Sequence, residues 1–166
     1  MLLCAIFCTL VLTVASGSAS ANMLLVGDGV YGDFTGFFTY TSIDSSHAAL
    51  SVLLRNTSPA DNGGYITEFA FNNPHDQITN VTLTATDPDF RVIGGSSFKN
   101  KIGASPYGDF DTGGSISSSL LGGGKPQPGM AAGAAETFTF ALTGVNLNLF
   151  NELSFVNELS SNGKGG

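Results

Sequence analysis

Apolar and polar residues alternate with a period of two over several stretches of the chain, the spacing of a β-strand with one buried face. In residues 34–40, Phe34, Phe38 and Tyr40 share a face, and Phe37 points to the other. Leu50, Val52 and Leu54 stand opposite Ser51 and Arg55, and Tyr65, Phe69 and Phe71 opposite Glu68. Val81, Leu83 and Ala85 oppose Thr82 and Thr84. The cleanest stretch, 137–143, sets Phe138, Phe140 and Leu142 against threonines. β-Branched and aromatic side chains of this kind suit a pleated, half-buried surface.

Turn chemistry separates these stretches. Asn56-Thr-Ser-Pro-Ala-Asp-Asn-Gly-Gly64 is suited to closing a hairpin, with Gly63 and Gly64 free to take positive φ. Asn72-Asn-Pro-His-Asp76 and Asp87-Pro-Asp89 are turn formers through their Pro and Asx residues. Short strands at this spacing predict an all-β fold, an antiparallel β-sandwich of Ig-like or jelly-roll-like kind. Residues 94–135 break the alternation with Gly94-Gly95, Gly113-Gly114, Gly122-Gly-Gly-Lys-Pro-Gln-Pro-Gly129 and Ala131-Ala-Gly-Ala-Ala135. They read as a long Gly-rich loop between the sheets, extended only at 97–98 and 107–110. In 147–159, Leu149, Leu153 and Val156 recur at helical spacing, which predicts one short C-terminal amphipathic helix or helical turn across an end of the sandwich. Residues 160–166 read as a flexible tail. Their closing Asn162-Gly-Lys-Gly-Gly166 is a turn signal, after which a further strand is expected in a longer chain.

The first residues differ from all of this. An uncharged apolar run from Leu2 to Ala15 leads to Ala19-Ser20-Ala21, the form of a secretory signal peptide with an A-x-A cleavage site. Its positive end is only the α-amino group of Met1. The run falls short of the roughly 20 residues that span a bilayer. Residues 1–21 are therefore expected to be removed, leaving a single domain over 22–159 and no membrane span in the mature chain. Cleavage removes Cys4 and Cys8, the only cysteines, so the mature domain holds neither thiol nor disulfide. Neither cysteine ends the apolar run, which excludes a lipid-bearing one. About 145 residues remain, enough for one domain with a single core.

Charge narrows the function. The chain has 13 acidic and 6 basic residues, a net charge of -7, and only 11% charged residues. An acidic surface with scattered cations repels phosphate backbones, which argues against nucleic acid as a partner. Catalytic and cofactor-binding residues are not evident. His47 and His75 are the only histidines, both at expected surface positions; no Gly-x-Ser-x-Gly elbow is present, and no cysteine survives to join a transition-metal site. Gly122-Gly-Gly-Lys125 lacks the spacing of a phosphate loop and runs into Pro126. Asn56-Thr-Ser58 and Asn80-Val-Thr82 match the N-glycosylation sequon, which matters only in a eukaryotic host. The carboxylates are more informative. Asp87 with Asp89, and Asp109 with Asp111, are D-x-D pairs in loops where hard oxygen ligands suit Ca²⁺, although neither continues into an EF-hand series. Asp28 and Asp33 flank another Gly-rich turn. The aromatics at 34–40 and 65–71 are read mainly as core. Trp, a favoured sugar platform, is absent.

Leu50-Ser-Val-Leu-Leu-Arg-Asn-Thr-Ser58 and Met130-Ala-Ala-Gly-Ala-Ala-Glu-Thr-Phe-Thr-Phe-Ala-Leu-Thr-Gly144 resemble strand patterns of bacterial secreted β-sandwich modules, with Ala132 where a proline is usual. Asn62-Gly-Gly-Tyr-Ile-Thr-Glu-Phe-Ala-Phe-Asn72 and Val81-Thr-Leu-Thr-Ala-Thr-Asp-Pro-Asp-Phe90 are similar to exported bacterial proteins that carry a PEP-CTERM sorting tail; the tail itself is not in this sequence. The resemblance runs from about Ala49 to Leu159 and implies an exported Ig-like sandwich. A sandwich hosts many functions. The expected function is that of a non-enzymatic, secreted or cell-surface component of the extracellular matrix, acting in adhesion or assembly through strand edges or loops. Its expected partners are cell-surface polysaccharide or other surface proteins. The alternative is a carbohydrate- or calcium-dependent binding module. An uncovered edge strand favours assembly, exposed coplanar aromatics beside a groove favour carbohydrate, and a carboxylate cage favours calcium.

Overall fold

A computed structural model describes residues 22–27, 32–62, 64–94, 102–104, 107–118 and 129–161. The expected leader, Asp28, the extended piece at 97–98, the Gly122–Lys125 segment and residues 162–166 lie outside them. The strands in chain order are β1 (Asn22–Gly27), β2 (Phe34–Ser42), β3 (His47–Asn56), β4 (Tyr65–Ile66), β5 (Glu68–Phe71) and β6 (Ile78–Ala85). There follow β7 (Arg91–Ile93), β8 (Ile102–Gly103), β9 (Asp109–Phe110), β10 (Thr112–Ser115), β11 (Met130–Ala131) and β12 (Ala135–Gly144). One helix, α1 (Glu152–Val156), closes the described elements.

The chain forms an antiparallel all-β sandwich with one short C-terminal helix. The larger sheet has the order β1-β2-β3-β12-β6, and the smaller one β5-β10-β7. The alternation along β2, β3, β12 and β6 sets their register. Tyr40, Leu50, Phe140 and Leu83 stand side by side across the larger sheet, as do Phe38, Val52, Phe138 and Ala85. Leu50, Phe138 and Phe140 are fully buried. Phe69 and Phe71 of β5 meet this layer from the facing sheet, with ring centroids 4.7 Å from Phe138 and 5.0 Å from Phe140, both edge-on. Edge-on pairs of this kind contribute roughly 0.5–1.5 kcal/mol each beyond their buried area.

Residues 57–64 do not close a hairpin. β3 pairs with β2 and β12, and β4 pairs with β11, so the segment carries the chain out of the larger sheet. The buried Asn56 makes the corner: its Oδ1 accepts the Ser58 N–H (3.0 Å), and its Nδ2 donates to the carbonyls of Gly64 (3.0 Å) and Met130 (2.9 Å). Residues 72–77 and 86–90 are corners of the same kind, leading from β5 to β6 and from β6 to β7.

The Gly-rich region is not one long loop. It supplies β8 to β11, and β10 is the central strand of the smaller sheet, buried at every residue. Glycine is required there by close approach. A Cβ on Gly113 would overlap the Phe69 carbonyl oxygen and the Ala70 Cα of β5. On Gly114 it would stand 2.8 Å from the Phe69 ring.

The C-terminal segment also differs from the expectation. A short 3-10 turn (Leu147–Leu149) and α1 are separated at Phe150 and Asn151, so Leu149 and Leu153 do not share a helix. The expected apolar stripe faces outward: Leu149 is 73% exposed, Leu153 50% and Val156 37%. Leu147, Glu152 and Phe155 are buried instead. Phe155 packs on Tyr40 and Phe71, with ring centroids at 5.5 and 5.9 Å. Asn151 starts α1 with a reciprocal cap, its side chain accepting the Ser154 N–H while the Ser154 hydroxyl accepts the Asn151 N–H. Among the described residues no helix is long and apolar enough to cross a membrane.

Candidate functional site

The D-x-D carboxylates serve separate parts of the scaffold. Asp87 and Asp89 occupy the corner from β6 to β7, where the Asp87 Oδ1 accepts the Asp89 N–H (2.9 Å) and the Asp87 carbonyl accepts the Phe90 N–H (3.3 Å). Asp109 lies on β9 and bridges to Ser161 through paired backbone bonds of 2.7 and 3.2 Å. Asp111 is buried, and its Oδ2 accepts the Asn73 N–H at 2.8 Å, tying the start of β10 to the corner after β5. Among the described residues, no group of three or more His, Cys, Asp and Glu side chains is placed to hold a metal ion.

Asp44, Ser46 and His47 meet at the turn between β2 and β3. The Asp44 Oδ1 accepts the N–H groups of Ser46 (2.6 Å) and His47 (2.8 Å) and the Ser46 hydroxyl (2.9 Å). Hydrogen bonds from Ser46, backbone first and then side chain, with the His47 ring after them, lower the Asp44 carboxyl to about 2. The three residue types are those of a hydrolytic triad, but the geometry differs. His47 Nδ1 faces both Ser46 Oγ (3.0 Å) and Asp44 (3.1 Å), whereas a proton relay uses one ring nitrogen for each. The exposed cluster is a turn lock. His75 lies at positive φ on the corner after β5, with its Nδ1 4.0 Å from Glu158.

The outer face of the larger sheet is different in kind. Strand register sets Leu24 of β1 opposite Phe37 of β2, and Phe37 opposite Leu53 of β3. These side chains form a continuous apolar row across the strands, 54%, 41% and 41% exposed, and Val26 extends it at 67%. Beside it runs a row of hydroxyls in register, Thr39, Ser51, Thr139 and Thr84 on β2, β3, β12 and β6. Neighbouring strands place them about 4.8 Å apart. β1 is the terminal strand, and its outer side has no strand partner among the described residues. Its inner side chains, Met23 and Leu25, pack against the core. Next to the first pair of β1, Asn22 with Thr39, the buried Glu152 of α1 takes over: its Oε1 accepts the Tyr40 N–H at 2.8 Å. The Tyr40 hydroxyl donates to the Leu147 carbonyl at 2.6 Å, and burial pushes its phenol up to about 12.

Sequence alternation points Phe37 outward but does not reveal the row. β1 is apolar on both faces, so Met23-Leu-Leu-Val26 shows no period, and Leu24 meets Phe37 only through strand pairing. A continuous apolar run bounded by Asn22 and Gly27 is the available signal. A cleft of about 260 Å³ opens beside the start of β2, between Asp33, Phe34 and the segment 64–69. Comparison of the chain with protein-family models, with curated proteins and with solved structures finds no match.

Proposed function

We propose that the chain is an exported, non-enzymatic component of a cell surface or extracellular matrix that assembles through the β1 edge and outer face of its larger sheet. The observation that carries this reading is the exposed row of Leu24, Phe37 and Leu53 beside an edge with no strand partner among the described residues. An unpaired edge presents N–H and C=O groups ready for another strand, and an exposed apolar patch beside it gains by leaving water. The occupant proposed is a second copy. Antiparallel addition of β1 to β1 about a two-fold axis uses the same edge twice and joins the two apolar rows on one continued face.

Two sequence features support export. The A-x-A site ends at Ala21, and Asn22, the residue cleavage would leave first, is already in β1. The resemblance to exported bacterial β-sandwich proteins points to the same compartment. The aspartate pairs supply no cage among the described residues, which leaves the calcium-dependent alternative without a supporting observation.

Cleavage after Ala21 leaves a chain free of cysteine, so one introduced thiol reports one contact. Leu24→Cys in the mature chain should give a covalent dimer under mild oxidation, and Thr84→Cys, on the far strand of the same sheet, should not. Equal cross-linking of both variants, or none from Leu24→Cys, would reject pairing at β1.

A further inference from the structure

β1 is held in a register that its own sequence does not specify. Met23 and Leu25 are half-buried against the core, and Leu24 and Val26 are exposed on the outer face. All four are apolar, so hydrophobicity does not distinguish one face of the strand from the other. A slip of one residue along β2 would turn the strand over, burying Leu24 and Val26 and exposing Met23 and Leu25. We infer that Glu152 is the positioning residue for β1: by holding the Tyr40 N–H it sets the register of β1 on β2, and so selects the side chains that β1 presents on the outer face.

The stop lies at the first pair of the strand. Asn22 stands opposite Thr39, and the next position along β2 is Tyr40, whose N–H is held by the Glu152 Oε1 at 2.8 Å. Hydrogen-bonded pairs alternate along an antiparallel ladder. A β1 shifted one residue towards Tyr40 would therefore need that same N–H for the Asn22 carbonyl. A carboxylate is a stronger acceptor than a carbonyl. This one is also fixed beforehand, since Asn151 and Ser154 cap the start of α1 and Phe155 packs on Tyr40 and Phe71.

The opposite shift meets a different obstacle. Gly27 stands opposite Phe34, and a Cβ at Gly27 would overlap the Phe34 ring, so Val26 does not fit in its place. That ring can turn to another rotamer, whereas Glu152 is carried by a packed helix and is the firmer stop. The register does not depend on what the outer face does. Its consequence for association rests on the reading of that face as the self-assembly surface, because a slip would put Leu25 beside Phe37 and take Leu24 inside.

The test compares Glu152→Ala and Glu152→Gln in the mature chain. Gln keeps a carbonyl oxygen at the same reach and should preserve the wild-type register, whereas Ala has no acceptor. Cross-strand NOEs read the register directly and need no association. The opposed pair should be Leu24 with Phe37 in the wild type and in Glu152→Gln, and a second set with Leu24 opposite Phe38 should join it in Glu152→Ala. Loss of one hydrogen bond to a charged group should raise the slipped population about tenfold. Glu152→Asp, which keeps the charge but draws the oxygen back by one methylene, should act in the same direction and replaces the alanine variant if that does not fold. Single cysteines then report the exposed face. Leu24→Cys should cross-link in every background, and Leu25→Cys only with Glu152→Ala or Glu152→Asp. A single Leu24–Phe37 register in both of those variants would overturn the inference and leave self-assembly standing, and an equal slip in Glu152→Gln would overturn it as well. A slipped register in Glu152→Ala or Glu152→Asp with no cross-link from either cysteine would uphold it and reject self-assembly.

Discussion

Tyr40 shows how one side chain couples the sheet to the C-terminal segment. Its ring lies in the core, its hydroxyl holds the Leu147 carbonyl, and its phenol is raised to about 12 by burial. The unfolded chain ionises near the ordinary value of 10.0, so the folded state holds this proton more tightly. The resulting stabilisation is fully present below pH 10 and is lost as the pH rises towards 12. Denaturant melts at stepped alkaline pH should show stability falling across that window, and Tyr40→Phe should flatten the fall while lowering stability at neutral pH. Asp44 acts with the opposite sign. Its carboxyl is lowered to about 2, so its contribution is present above the ordinary value of 3.8 and is lost as the pH falls through 2. Asp44→Ala should therefore lower the melting temperature at pH 6 and have little effect at pH 2, as followed by circular dichroism.

At the scale of elements, β10 is held to glycine by the close approach of β5. Gly113 sits where any side chain would meet the β5 backbone. Gly113→Ala should destabilise the domain by about 1–3 kcal/mol, the usual cost of overpacking, measured by urea denaturation. These elements also show what was legible beforehand. β2, β3, β6 and β12 alternate because one face meets the core and the other water, and their residues declare it. β10 does not, because the need to fit between two neighbouring strands selected glycine, a residue that reads as loop. The short C-terminal helix was legible, but its buried face was not. Leu149, Leu153 and Val156 keep helical spacing across a break at Asn151, and the buried positions went to Leu147, Phe155 and the carboxylate Glu152, which covers β2 next to the first pair of β1. Asp87-Pro-Asp89 was legible as a turn former, and its Asp87–Asp89 bond is local, whereas the role of Asp111, whose carboxylate accepts the Asn73 N–H, depended on a tertiary contact.

For the whole molecule, the central claim is that the larger sheet carries a self-assembly surface. The outer row of Leu24, Phe37 and Leu53 opposes an overall charge of -7, so apolar attraction and like-charge repulsion act against each other. Salt screens the repulsion and leaves the apolar term intact or strengthened. The most direct measurement is sedimentation velocity of the mature chain over a concentration series at low and high salt, alongside Leu24→Lys and Phe37→Thr. The account predicts reversible dimerisation that tightens with salt, and monomers at all concentrations for both variants with their folds intact. A wild-type chain that stays monomeric throughout, or variants that associate as the wild type does, would contradict it.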